Sequence, residues 1–316
     1  MENVSFRQPS VLVLNFVEMS TMRYLYCMLA FFGYILIIIT NGGVIITITT
    51  HKALQEPMYI LICALCFNAL LGSSAFFPGL FRNLLYNVYT ISYGACILQI
   101  FCIYVYVKIE MSTLTVMAFD RYVCICNPLR YNIIMSLPMV YKFIAAICCY
   151  SVSLMIVHIM LTVRLPLCGT VILKIYCDNW SVVRLSCIDT SINNIYGLFV
   201  TFFTQIIMLS LILVSYIYIL QACSKASQEV ISKAMNTCVP QVITTINFVT
   251  DVLFEVFFYR YVSRIIPYEV RTFISVYGLL MPFILNPLIY GLKMTELRVR
   301  IFKLFKLNSI SLQNHC

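Results

Sequence analysis

The sequence predicts an all-α membrane protein, a seven-transmembrane helix bundle followed by a short C-terminal amphipathic helix. Of its 316 residues, 62% are hydrophobic and 10% are charged, whereas a soluble domain has roughly 45–50% apolar and about 25% charged residues. Seven stretches approach the roughly 20 apolar residues that a helix needs to cross a bilayer. They are Tyr24–Thr50, Met58–Leu80, Ile97–Ala118, Phe143–Leu165, Ile195–Ala222, Ile243–Tyr259 and Thr272–Leu292.

The apolar stretches favour helices over barrel strands, because backbone groups in hydrocarbon must bond internally and runs this long suit helices. The sixth stretch is the weakest, since Asp251 and Glu255 interrupt it. The sequence shows no internal repeat, which counts mildly against inverted-repeat transporter folds. We therefore expect an extracellular N-terminus at 1–23, a seven-helix domain at 24–292, and a cytoplasmic amphipathic helix and tail at 293–316.

The two ends of the chain carry weaker signals. The first 20 residues lack a basic start followed by an apolar block, so we expect the first helix to serve as the insertion signal. Asn3 and Asn179 begin glycosylation sequons, and the first is usable only if the N-terminus lies outside. After the last helix, basic residues alternate with apolar ones, which predicts a helix lying flat on an anionic inner leaflet; a solvated basic tail is the alternative. The basic residues are Arg298, Arg300, Lys303 and Lys306.

Charge and cysteine content narrow the function classes. The formal net charge is +9, but the 21 Lys and Arg residues lie in short segments between apolar runs, so nucleic acid is not an expected partner. Most of the 15 cysteines lie inside apolar runs, where thiols behave as small hydrophobes. His51, His158 and His315 are too scattered for a metal cluster. We expect no such cluster, no cofactor and no catalysis.

The third predicted helix ends in the string MAFDRYVCICNPLRY at residues 117–131. This string resembles the signature of the odorant (olfactory) receptor family of rhodopsin-like G-protein-coupled receptors. It departs from the signature at Phe119, where Tyr is usual, and at Cys124, where Ala is usual. The resemblance implies that Asp120 holds Arg121, beside Tyr122, until activation releases the arginine toward a G protein. The alternative is that these charges only mark a membrane boundary.

Other segments extend the resemblance from about residue 41 to 293. Asn41 precedes the PMY triplet at 57–59 by the usual interval, and the run NPLIY at 286–290 resembles the family's NPxxY element. A proline inside a helix removes a backbone hydrogen bond, so Pro287 predicts a kink that can change shape when an agonist binds. The resemblance assigns Asn286, Pro287 and Tyr290 to activation.

Four cysteines fall on the predicted outer side: Cys96, Cys168, Cys177 and Cys187. Four cysteines allow three pairings, and that side faces an oxidising compartment during synthesis, where bridges form. The resemblance implies the pairs Cys96–Cys177 and Cys168–Cys187. The first bridge would pin the long outer loop across the mouth of the bundle, and the second would close the loop into a lid.

Ionisable residues inside predicted spans are costly and suggest function. Glu110 shares a helix face with Arg121 and, with Asn41, is a candidate for the bundle core and for sodium coordination. A protonated, hydrogen-bonded structural Glu110 is the alternative. Lys108 lies near the midplane, about 18 Å below Cys96 at 1.5 Å per residue.

Two interpretations of Lys108 stay open. It either anchors a ligand carboxylate, sulfate or phosphate, or it forms an interhelical bridge to Asp251 or Glu255, which share one face of the sixth helix. Arg260, slightly more than one turn beyond Glu255, is a second candidate anion contact near the pocket mouth. Lys108, Asp251, Glu255 and Arg260 are thus the candidate ligand contacts.

Several positions depart from the family pattern. Gln241 stands where His is usual, Val249 and Thr250 stand where Tyr and Gly are usual, and Ala69 stands where rhodopsin-like receptors commonly keep an Asp. Together these departures resemble the branch of the family seen in fish. They leave the activation switch of the sixth helix open, and we expect Asp251 to replace part of it.

The resemblance implies a plasma-membrane receptor that binds a small extracellular odorant and activates a heterotrimeric G protein of the stimulatory type, raising cyclic AMP. Basic residues around the mouth favour an anionic odorant. Two alternatives remain: a non-odorant rhodopsin-like receptor and, less favoured, a small transporter or channel. In the latter, Lys108, Glu110, Asp251 and Glu255 would line a polar path.

Overall fold

A computed structural model of the chain describes residues 9–14, 23–86, 88–224, 227–257, 268–294 and 296–300, with the backbone alone at 229, 230, 233, 255–257, 268–276, 278 and 279. These residues form seven long helices: α1 Arg23–Thr50, α2 Pro57–Tyr86, α3 Tyr93–Cys126, α5 Leu137–Val163, α7 Ser191–Cys223, α8 Gln228–Phe257 and α9 Tyr268–Lys293. Two short helices, α4 Tyr131–Ile134 and α6 Asn179–Val183, lie in the connections. The central helix is α3, which contacts α2, α5, α7 and α8.

The seven-helix fold is confirmed, and each predicted span coincides with one long helix over its described residues. The bounds differ where hydropathy is a poor guide. Helix α8 begins at Gln228, well before Ile243, because its first turns are helical but polar. Helix α5 ends at Val163 rather than Leu165, since the chain turns at Arg164.

The surface of the bundle suits lipid. Six helices in the described ranges are long and apolar enough to cross a membrane, and the 26 residues of α9 span about 39 Å at 1.5 Å per residue. Large apolar side chains point outward, with Leu29 59% and Ile206 62% exposed, whereas Asn41, Glu110 and Asp120 are fully buried. Large apolar side chains cover the outside of a bundle that buries polar groups beside its apolar core, a surface suited to lipid rather than to water.

Helices α2, α3 and α9 approach closely at Gly72. A Cβ at this glycine would lie 2.7 Å from the Cγ atom of Tyr106 and 3.1 Å from Phe283. The Tyr106 and Phe283 rings themselves pack with centroids 4.7 Å apart. Only glycine leaves room for this contact.

A small sheet adds to the predicted all-α fold at one end of the bundle. Strand β1, Val11–Leu14, lies between β2, Thr90–Ser92, and β3, Val171–Ile172. It pairs antiparallel with β2 and parallel with β3. Leu12 and Leu14 are buried while the alternate valines are exposed, so the N-terminal segment is tied down by one apolar face.

After α9, residues 296–300 are again helical. Leu297 is fully buried while Arg298 is exposed, and Arg300 lies 3.6 Å from Glu296. This is the first part of the predicted amphipathic segment, and Lys303 and Lys306 lie outside the described residues.

Candidate functional site

At one end of the bundle, the last turns of α3 hold Asp120 and Arg121 together. Asp120 is fully buried, and its Oδ2 accepts from Arg121 Nε at 2.9 Å and also from Nη2. The hydroxyl of Tyr131 in α4 donates to Oδ1 at 2.9 Å. Burial and the Asp120 carboxylate raise the pKa of Tyr131, which keeps this donor protonated. Nearby, the ring of Tyr122 lies 5.7 Å from that of Tyr218 in α7. We call this the Asp-Arg-Tyr end.

In the middle of the bundle, the fully buried Glu110 joins three helices. Its Oε2 accepts from Asn68 Nδ2 of α2 at 2.9 Å, and its Oε1 accepts from Asn286 Nδ2 of α9. The Asn68 amide also donates to the carbonyl oxygen of Tyr106 at 3.1 Å. Both carboxylate oxygens thus have an amide donor. The sequence reasoning missed Asn68, although an amide inside an apolar helix and next to Ala69 is a visible signal.

The Glu110 carboxyl group has an amide donor at each oxygen, and Ala69 supplies no second carboxylate beside it. The Asn41 Nδ2 donates elsewhere, to the carbonyl oxygens of Ile37 and Phe283, each at 2.9 Å. The sodium-binding Glu110 and the protonated, structural Glu110 both stay predictions.

The sixth long helix, α8, makes two polar contacts to its neighbours. Gln241 Nε2 donates to the Leu114 carbonyl oxygen of α3 at 2.8 Å. The hydroxyl groups of Thr244 and Tyr290 lie 3.1 Å apart, in α8 and α9 and one turn from the kink-forming Pro287. From sequence, Gln241 is only a departure from the family pattern; the structure makes it a cross-helix donor.

Lys108 lies between α3 and α7. It is 7% exposed, and its Nζ donates to Thr204 Oγ1 at 2.7 Å. The Thr204 hydroxyl in turn donates to the Val200 carbonyl oxygen at 2.7 Å. Gln205, the next residue, is also buried, and its Oε1 has no partner in the ranges that the structure describes. The bundle therefore holds a buried lysine that bonds to one polar side chain of α7.

Among the described side chains, the Lys108 ammonium bonds to Thr204 and forms no ion pair with Asp251. Asp251 is half-buried and accepts from Asn247 Nδ2 at 3.2 Å within its own helix. Its bond therefore does not link α8 to another helix. The side chain of Glu255 and all of Arg260 lie outside the described residues.

At the opposite end, the connection between α5 and α7 forms a lid, residues 164–190. Disulfides join Cys96 to Cys177 and Cys168 to Cys187, with Cα atoms 5.4 and 5.2 Å apart. These are the pairs that the family resemblance implies. Gln99 of α3 strengthens the first tie, since its Oε1 accepts from the Cys177 backbone N–H at 2.8 Å and its Nε2 donates to a carbonyl oxygen of α2 at 3.0 Å. We call this the disulfide end.

Charged and aromatic groups pack the inside of the lid. Lys174 is buried and lies 3.4 Å from Asp178 and 5.2 Å from the ring centroid of Tyr176. The Tyr176 ring packs edge-on against Phe76 of α2 at 5.6 Å. The lid is therefore anchored to α2 and α3 by a disulfide, a shared amide and an aromatic contact.

The glycosylation candidate Asn179 lies at a buried position. Its Oδ1 accepts from Thr162 Oγ1 at 2.6 Å. Burial of this side chain in the folded lid weighs against a glycan there, and the sequon stays a prediction. The other candidate, Asn3, lies outside the described residues.

Comparison of the sequence with known proteins identifies its family. A sequence model of the family described as "Olfactory receptor" matches residues 27–307. The chain belongs to the olfactory receptor family. Human olfactory receptor 52K1 is 33% identical over 309 residues, covering 96% of this chain and 98% of its own length. Human olfactory receptor 52N2 is 33% identical (96% and 95% covered), and human olfactory receptor 52B6 is 36% identical (82% and 78% covered).

The receptor is thus a multi-pass protein of the plasma membrane and not an enzyme. The relatives named above are human, so the likeness to a fish branch stays a prediction. The roles of Asp120, Asn286 and the lid cysteines also stay predictions, now with defined contacts behind each. The family pattern did not indicate Tyr131, Thr204 or Gln99 as partners, because each becomes a partner only through the packing of separate helices.

Proposed function

We propose that the receptor binds a small extracellular odorant and activates a heterotrimeric G protein of the stimulatory type, raising cyclic AMP. The contact between Asp120 and Arg121 carries this proposal. A buried carboxylate that holds an arginine at the end of the central helix is a two-state element, since the arginine can exchange an internal partner for an external one. Such an exchange needs no catalysis by the receptor itself.

The proposed orientation places the disulfide end outside and the Asp-Arg-Tyr end in the cytosol. Disulfides persist in oxidising compartments, which supports an extracellular lid and N-terminus. The basic amphipathic segment after α9 then meets the anionic inner leaflet. A ligand would bind beneath the lid among α3, α7 and α8, and would shift the equilibrium by binding one state better.

Lys108 supports an anionic odorant. An ammonium group has three N–H donors, and within the described side chains Thr204 accepts one of them. A buried charge with unused donors is costly inside a membrane. A ligand carboxylate or sulfate beside Thr204 and Gln205 would offset this cost, and Arg260 is a second proposed contact nearer the mouth.

The coupling role is tested with Arg121→Ala in cells that supply a stimulatory G protein. We expect loss of the cyclic AMP response to a panel of odorants at near-normal surface expression. Arg164→Ala, which changes an exposed arginine at the disulfide end, should respond like the unmodified receptor. A full response from Arg121→Ala would count against the assignment.

The ligand class is tested with Lys108→Gln on the same panel. Loss of one charge-assisted hydrogen bond costs about 1.5–3 kcal/mol, so anionic agonists should lose roughly 10-fold to 100-fold in potency. Uncharged agonists should keep theirs. Equal losses for both classes would reduce Lys108 to a structural role.

A further inference from the structure

The inner half of α8 is held by two side chains one turn apart. Gln241 is fully buried and donates to the Leu114 carbonyl oxygen of α3. The Thr244 hydroxyl donates to the carbonyl oxygen of Gln241 at 2.9 Å. The Thr244 and Tyr290 hydroxyl groups lie 3.1 Å apart and form a second hydrogen bond, from α8 to α9. Helix α8 is thereby tied to α3 by one bond and to α9 by another.

These two hydrogen bonds lie next to a proline, where α8 lacks one of its own backbone hydrogen bonds. Pro240 stands inside α8, directly before Gln241. Proline has no N–H, so the hydrogen bond to the carbonyl four residues earlier is missing and the helix bends more easily there. Bending of α8 at this point is then opposed by contacts with neighbouring helices, and Gln241 and Thr244 provide two of them directly after the proline.

We infer that Gln241 and Thr244 form a latch that holds α8 against α3 and α9 in the resting receptor and sets its basal activity. The Asp120–Arg121 contact is closed in the same structure, which under the proposed function corresponds to the resting receptor. Gln241, one residue of the latch, stands at a position where the chain departs from the family pattern. Asp251 takes no part in the latch, because its hydrogen bond stays within α8. The inference rests on the proposed G-protein signalling for one of its two readouts.

The chain supplies a matched control for Thr244. Thr245 is the next residue, is also buried, and its hydroxyl has no partner within the described part of the chain. Thr244→Val and Thr245→Val remove the same group from the same helix without changing shape, and only the first removes a bond to α9. Loss of one hydrogen bond, about 1 kcal/mol, corresponds to about a fivefold shift of a two-state equilibrium.

The first experiment measures cyclic AMP without ligand in cells that supply a stimulatory G protein, normalised to surface receptor. Thr244→Val should raise the basal level about fivefold, and Thr245→Val should leave it unchanged. For Gln241, Leu and His are compared, since both remove the amide oxygen but only His keeps an N–H of similar reach. Gln241→Leu should raise basal activity and Gln241→His should not. Equal basal levels in Thr244→Val and Thr245→Val would overturn the latch.

The second experiment measures hydrogen exchange of the purified receptor in detergent, without ligand or G protein. Backbone amides of 231–245 should exchange faster in Thr244→Val than in Thr245→Val, because the inner part of α8 is released. Faster exchange in a receptor that never raises cyclic AMP would support the latch and reject the proposed function. Identical exchange in an odorant-responsive receptor would reject the latch alone.

Discussion

Asn68→Leu tests the core of the bundle most directly. Asn68 is buried in α2 and donates to Glu110 at 2.9 Å and to the Tyr106 carbonyl oxygen at 3.1 Å. Leucine has a similar size and no donor, so the Glu110 Oε2 is left without its amide partner. Leaving this buried oxygen without its donor costs about 2–3 kcal/mol. For a chain of this length that corresponds to a fall of about 3–5 °C in Tm.

Thiol accessibility supplies the assay. Cys27, Cys66, Cys223 and Cys238 are buried free thiols, so a thiol-reactive fluorophore labels them as the purified receptor unfolds on heating. Ser73→Ala is the control, because Ser73 is fully buried on the same helix but donates only within α2, to Leu70 at 3.1 Å. We expect its Tm to fall by no more than about 2 °C.

A double-mutant cycle shows whether the loss of stability in Asn68→Leu depends on Glu110. In a Glu110→Leu background, Asn68→Leu should cost only the bond to the Tyr106 carbonyl, about 1 kcal/mol. The coupling between the two positions should therefore exceed about 1 kcal/mol. Equal costs of Asn68→Leu in both backgrounds would refute the reasoning, since Asn68 would then act by packing alone.

Three further predictions concern the lid and the helix contacts. Cys96→Ser or Cys177→Ser should retain the protein inside the cell, because the lid loses its tie to α3; normal surface delivery, measured by surface labelling, would reject a folding role for that bridge. Asn179→Gln should leave the mobility of the protein on a denaturing gel unchanged after expression in glycosylating cells, since the buried amide carries no glycan; a faster-moving band would contradict this. Gly72→Ala should lower the free energy of unfolding by about 1–3 kcal/mol, because the added Cβ would meet the Tyr106 ring at 2.7 Å; an unchanged Tm would show that the ring moves aside freely.

Local sequence carried most of the fold. Hydropathy located all seven helices, because every backbone N–H and C=O group in lipid must be hydrogen-bonded within the protein. A helix meets this requirement within a single apolar segment. Hydropathy did not predict the segments to which this requirement does not apply. The first turns of α8 are too polar to give a hydropathy signal. The four apolar residues of β1 are too few to predict an element by hydropathy, since β1 depends on pairing with strands far along the chain.

The sequence by itself also determined which groups are expensive to bury: Glu110, Lys108 and the Asp120–Arg121 pair. Only the tertiary structure decided their partners. Lys108 bonds to a threonine of α7, and Glu110 accepts from two asparagines rather than meeting Asn41. The reason is geometric. Sequence spacing determines which face of its own helix a residue occupies, but a hydrogen bond of about 3 Å also depends on how the second helix is rotated and shifted relative to the first.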